Sequence, residues 1–237
     1  MSINTKATRV LIGALMFTMA ITGASRGLSQ EISRDTITHG KYTLVFINNQ
    51  PGFSPITRER LIDAFFTVYP EEAKRFNRHT LRRVVFFVDP TYDGVAETGD
   101  GVSRFSPKWL NAHPEDIDVV THEVMHIVQD YRHEVPGWLT EGIADYVRYV
   151  YGVNNAASNW TLPNYRPGQN YTNAYRVTAR FLLWVEANKN KHIVDKLDAA
   201  MRKGTFTPEL WVKLTGETVD TLWEEYSRQP ALQLTYK

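Results

Sequence analysis

The chain contains no cysteine. That excludes disulfides, so stability has to come from a hydrophobic core. It also excludes thiolate ligation, leaving histidine, aspartate and glutamate as the side chains able to hold a transition metal. A lipid anchor that needs a cysteine at the cleavage point is closed for the same reason. An excess of one charge is missing too: 27 Lys and Arg stand against 26 Asp and Glu, for a net +1. With no basic stripe interleaved with aromatics, no nucleic-acid partner is expected. Beyond the first two dozen residues there is no apolar run long enough to span a bilayer, so no membrane span is expected in the mature chain. Internal repeats and low-complexity tracts are also absent.

What is present begins with a leader. Lys6 and Arg9 precede an uncharged apolar run from Val10 to Ala24, followed by small residues. This is the pattern of a secretory signal peptide, residues 1–24, with cleavage after Ala24 and, as a second option, after Ser29. The run is short for an uncleaved anchor. Export, into the medium or a periplasm, is the expected localisation. Losing Lys6 and Arg9 leaves the remainder at −1.

The rest, about 40–237, is sized for a single domain with two lobes around one cleft. Tyr42–Asn48 and Arg82–Val88 are β-branched and aromatic, and read as strands. Between them, Thr57–Phe76 repeats apolar residues at helical spacing. Residues 93–100 read as loop and 101–110 as a short third strand meeting the cleft, where an extended substrate backbone would pair. From Pro114 the pattern turns helical: 114–132, 138–151, 172–187, 191–203, 208–214 and 218–228, with a polar and aromatic loop over 152–169. That loop is a candidate lid or substrate rim. Strands first and helices after predict an α+β fold, with a β-rich lobe over about 40–112 and a helical lobe over about 113–230.

The chemistry concentrates between Thr121 and Tyr146. His122 and His126 are four apart, so on a helix both imidazoles reach one ion from the same face. Glu123 sits beside them, where it can touch a metal-bound water. Val120, Val124, Ile127, Val128 and Tyr131 make the helix amphipathic, the context that H-E-x-x-H requires. A catalytic zinc takes three protein ligands and keeps one position open. His133 lies two turns beyond His126, too far along the same helix, and is expected at a helix end or on the surface. The metzincin pattern fails, because Gln129 and Arg132 stand where its glycine and third histidine belong. Glu141, after the break at Pro136–Gly137, can return on an antiparallel helix, with Asp145 one turn further. E-x-x-x-D behind H-E-x-x-H resembles thermolysin-like gluzincins, in which the glutamate binds zinc and the aspartate holds a histidine ring. The reverse assignment, Asp145 as ligand and Glu141 as supporter, stays open.

Three strings carry a wider resemblance: T-H-E-V-M-H-I-V-Q, P-G-W-L-T-E-G-I-A-D-Y-V-R and A-Y-R-V-T-A-R-F-L-L-W. With K-L-D-A-A-M-R-K-G and L-T-G-E-T-V-D-T-L-W-E-E-Y they resemble the basic secretory protein family, zinc peptidases of plants and bacteria, over about residues 84–227. The resemblance implies a zincin-like fold of gluzincin type, secretion, one zinc ion and a peptide or protein substrate. In that reading His122, His126 and Glu141 hold zinc, Asp145 supports a ligand, and Glu123 is the general base. Tyr175, at the start of the helix after the long loop, is the candidate oxyanion donor, with Tyr171 and Arg180 in reserve. The alternative is a secreted zinc- or glycan-binding protein without significant peptidase activity.

Overall fold

The computed structural model describes residues 33–237, so the expected signal peptide lies outside the described residues. A five-stranded mixed sheet comes first. β1 (Ser33–His39) and β2 (Tyr42–Asn48) form an antiparallel hairpin. β2, β3 (Arg83–Val88) and β5 (Val102–Phe105) run parallel, and β4 (Ala96–Gly99) closes the far edge antiparallel to β5. The spatial order is β1-β2-β3-β5-β4.

One face of the sheet is dry along its length. Leu44, Phe46, Val84, Phe86, Val88 and Phe105 are buried on that face, as the two-residue period of a strand requires. Against it packs α1 (Pro55–Arg75), where Leu61, Phe65, Val68 and Tyr69 recur at helical spacing. Ser54 caps α1 through the Thr57 amide, and Pro55 occupies the first turn, where no N–H is needed. Phe65 meets Phe86 edge-on at 5.4 Å.

The sheet corrects two expectations. Ser33–His39, ahead of the expected start of the domain at about 40, is an edge strand whose partner supplies the hydrophobicity. The short strand after Gly101 does not offer its backbone to a substrate. β5 is paired on one side with β3 and on the other with β4. The free edge on that side is β4, whose residues, A-E-T-G, lack the β-branched run that marks a strand.

The helices follow. After the short α2 (Pro107–Ala112), α3 spans Val119–Gln129, shorter at both ends than the periodicity suggests. Pro114–Asp116 form turns, and the Asp118 carboxylate accepts from the Val153 and Asn154 amides instead of capping α3. Asp130, left-handed at φ 43°, ends the helix. α4 (Gly137–Tyr151) returns beside α3, and α5 (Tyr175–Asn188) packs on α4. α6 (Ile193–Arg202), α7 (Glu209–Thr215) and α8 (Val219–Arg228) complete the helical part.

Two features hold α3 in place. Its last carbonyls, which have no partner within the helix, are taken by side chains: Ile127 by Thr80, Val128 by Asn77 and Arg202, and Gln129 by Arg202. Behind α4, Arg75 of α1 donates to Tyr146, Glu186 and Asp195, tying α1, α4, α5 and α6 together. Among the described residues no helix is long and apolar enough to cross a membrane.

Candidate metal centre

α3 and α4 bring His122, His126 and Glu141 to one point. His122 Nε2 lies 3.2 Å from Glu141 Oε2 and 3.2 Å from His126 Nε2, and His126 Nε2 lies 3.6 Å from Glu141 Oε2. Ligands about 2.05 Å from a tetrahedral ion are separated by roughly 3.3 Å. The three donor atoms therefore already have the spacing of three corners of such a shell. Among the described residues this is the cluster whose donors can converge on a metal ion.

Each histidine is held through its other nitrogen. His122 Nδ1 is 2.7 Å from Asp145 Oδ1, and His126 Nδ1 is 2.8 Å from Gln129 Oε1. Gln129 in turn donates to the Thr140 carbonyl at 2.9 Å, linking α3 to the first turn of α4. Both bonds hold Nδ1–H and turn Nε2 towards the shared point. Asp145 thus touches the ring of His122 on the side away from the cluster, while Glu141 touches the cluster itself.

The electrostatics follow from burial. Burial pushes His122 down, but the charge and hydrogen bond of Asp145, then Glu141, outweigh it and lift the ring to about 10. Burial, then the neighbouring His122, lowers His126. Glu141 is pushed up by burial, but its two histidine neighbours bring it below the usual carboxylate range. Two rings that share one carboxylate cannot both stay protonated cheaply, and a metal ion held by His122, His126 and Glu141 would resolve that conflict by taking the place of the proton.

Glu123 is buried beside the histidines and has one side-chain hydrogen bond among the described residues, from Thr98 Oγ1 to its Oε2 at 2.7 Å. Thr98 Oγ1 in turn accepts from the Ser103 hydroxyl at 2.9 Å. Thr98 and Ser103 are register partners on the inner face of β4 and β5, so the sheet sets the position of Glu123.

Tyr175 completes the site from α5. Its ring lies nearly parallel to that of His122, with centroids 6.1 Å apart, and the residue is 53% exposed. It gets there through two consecutive left-handed residues, Ala174 at φ 61° and Tyr175 at φ 49°. Neither is glycine, so the turn is strained, as segments at functional sites often are. The charge of Glu141, then partial burial, raises the Tyr175 phenol, which keeps its proton available for donation. The reserve candidates lie elsewhere: Tyr171 is bonded to Asp220 and packed against Trp138, and Arg180 is buried beneath the Pro230 carbonyl.

These groups line a cleft of about 1260 Å³, walled by β4 on one side and by Ala157–Trp160 with the start of α5 on the other. The loop after α4 is a wall here. Trp160 lies against Arg148, Tyr165 against Trp223 and Tyr226, and the Leu162 amide donates to Tyr236. His133 lies outside the site, exposed beside Gly204. In the sequence, Gln129 stands out only as a mismatch to the metzincin pattern and Thr98 only as a loop residue. The three-residue step from His126 to Gln129 was a usable signal; the long-range partner of Thr98 was not.

Comparison with known proteins agrees with this architecture. The chain is similar to a two-domain M1 zinc metallopeptidase mutant solved with L-tryptophan, at 13% identity and TM-score 0.53, covering 86% of this chain and 54% of that one. It is similar in the same degree to an M1 zinc metallopeptidase from Deinococcus radiodurans, at 13% identity and TM-score 0.50, covering 86% and 53%. The chain thus spans about half the length of the solved structures it matches, and the likeness is one of fold: α+β and zincin-like. No curated protein matches it. A family model described as "Peptidase of plants and bacteria" matches residues 54–226, well over half of the chain. The chain belongs to the basic secretory protein family, the peptidases of plants and bacteria.

Proposed function

We propose that this protein is an exported zinc peptidase of gluzincin type that hydrolyses peptide bonds. The observation that carries the reading is the spacing of the His122, His126 and Glu141 donor atoms, with Glu123 buried against the same cleft. The donor set suits zinc: two imidazoles and a carboxylate, with no thiolate, is the make-up of catalytic sites that keep a position open. When bound, zinc would supply a Lewis acid and lower the pKa of water at the site.

The chain's own residues do the rest. Asp145 and Gln129 hold the imidazole tautomers. Thr98 orients Glu123 through Oε2, leaving Oε1 to take a proton from the attacking water and return it to the leaving amine. The Tyr175 hydroxyl donates to the oxyanion that forms on the scissile carbonyl. An extended substrate backbone adds to the free edge of β4, antiparallel strand against strand, with the Ala157–Trp160 wall opposite. Closed structural zinc sites have no use for a base, and the burial of Glu123 speaks for catalysis over simple zinc or glycan binding.

Purified protein should contain zinc and cleave peptides, lose cleavage to a chelator, and regain it with zinc. Stoichiometric zinc without cleavage of a broad peptide library would replace this reading with the binding one. Export belongs to the same proposal and is supported by the leader pattern. Mass spectrometry of the mature N-terminus should show cleavage after Ala24 or Ser29; an intact leader on the protein as produced would count against export.

A further inference from the structure

Three acids on the cleft outside the metal cluster are paired with arginines. Glu97 pairs with Arg104 at 2.9 Å, Glu115 with Arg60 at 2.8 Å, and Asp116 with Arg148 at 2.5 Å. Among the described residues, Arg176 is the one lysine or arginine on the cleft with no carboxylate within ion-pair distance. It is exposed, and its single side-chain hydrogen bond is from Nη1 to the Thr161 carbonyl at 3.3 Å. A guanidinium has five N–H donors in a rigid fork, so most of this one has no protein partner among the described residues.

Its position gives that surplus a meaning. Arg176 directly follows Tyr175, whose ring lies 6.1 Å from that of His122. The strained Ala174–Tyr175 turn that brings the phenol to the metal centre therefore also sets Arg176, the next residue, on the lining of the same cleft. A free cation on the cleft that holds the metal cluster favours a negative group on what enters. Arginine recognises carboxylates through paired, planar hydrogen bonds.

We propose that Arg176 is a specificity residue that reads a carboxylate on the substrate close to the scissile bond. The carboxylate is either an acidic side chain or the terminal carboxylate of a short peptide. The inference rests on the peptidase reading, and binding separates the two. The probes are fluorescent peptides matched in sequence, with Glu or Gln scanned across positions flanking the expected cleavage site, each made with a free or amidated C-terminus. They are titrated into zinc-loaded Glu123→Gln protein, and turnover is followed with the parent enzyme.

A charge-assisted pair at a partly solvated site predicts about tenfold tighter binding of the carboxylate peptides. Adding Arg176→Met should bring acid and amide peptides together, and Arg176→Lys should keep part of the preference. The Glu-for-Gln arm identifies a side-chain carboxylate, and the free-terminus arm identifies a terminal one. Equal affinity for acid and amide peptides overturns the proposal. So does an Arg176→Met effect that falls equally on every peptide, which would assign the residue to steadying Thr161. Hydrolysis without a carboxylate preference removes this inference and leaves the peptidase; preference in binding without hydrolysis does the reverse.

Discussion

Replacing Asp145 with alanine removes the acceptor 2.7 Å from His122 Nδ1 and leaves that N–H buried without a partner, since the Asp145 side chain is only 5% exposed. An unsatisfied buried donor costs about 1–3 kcal/mol. The loss falls on the orientation and basicity of a ring whose other nitrogen belongs to the metal cluster. Expressed as zinc affinity, that is on the order of 10–100-fold, the range typical for partners of metal-bound histidines. Asp145→Asn keeps an oxygen acceptor in nearly the same place and should lie between the parent and the alanine variant. Glu141→Ala, which removes a donor atom from the cluster itself, should weaken zinc more than either. The assay is competition between metal-free protein and a chromophoric chelator at neutral pH, with circular dichroism confirming that each variant is folded. Unchanged affinity in Asp145→Ala would refute the positioning role. A loss greater than that of Glu141→Ala would exchange the two roles.

Tyr175→Phe should lower kcat on the order of 100-fold with KM little changed, because an oxyanion donor acts only in the transition state; an effect confined to KM would make it a binding residue. Gly142→Ala would place a Cβ 2.2 Å from Thr178 Cγ2 where α4 meets α5, and urea unfolding should show a loss of about 1–3 kcal/mol. An unchanged midpoint would mean that the two helices part without cost. Glu72 is fully buried with neither carboxylate oxygen bonded among the described residues, and burial, against an opposing pull from His122, holds its pKa well above the ordinary range. The folded state therefore holds this proton more tightly than the unfolded chain, a contribution complete below about pH 4.3 and lost as pH rises through the folded pKa, so Glu72→Gln should gain on the parent by up to about 1.4 kcal/mol per pH unit across that window; a gap independent of pH in urea melts would refute it.

Much of this was legible before any coordinates. His122 and His126 share a helical face wherever that helix sits, and Glu141 with Asp145 share the next one, so the local spacing alone brought four groups near each other. Strands with their own hydrophobic run, β2 and β3, were readable for the same reason. What escaped was structure whose cause lies far away in the chain. β1 owes its existence to β2, and β4 is a strand because β5 pairs with it. Thr98 became a partner of Glu123 through a contact 25 residues away. The end of α3 moved from Arg132 to Gln129 because Asp130 adopts a left-handed conformation while Arg202, from α6, takes the freed carbonyls. A one-dimensional pattern has no access to such pairings.

The central claim is that Glu123 works as a base on a metal site that does not need it for binding. The most direct test compares parent and Glu123→Gln protein, purified in parallel, for zinc content and for cleavage of a peptide library. The account predicts equal, near-stoichiometric zinc in both and cleavage in the parent alone. Cleavage undiminished in Glu123→Gln would contradict it.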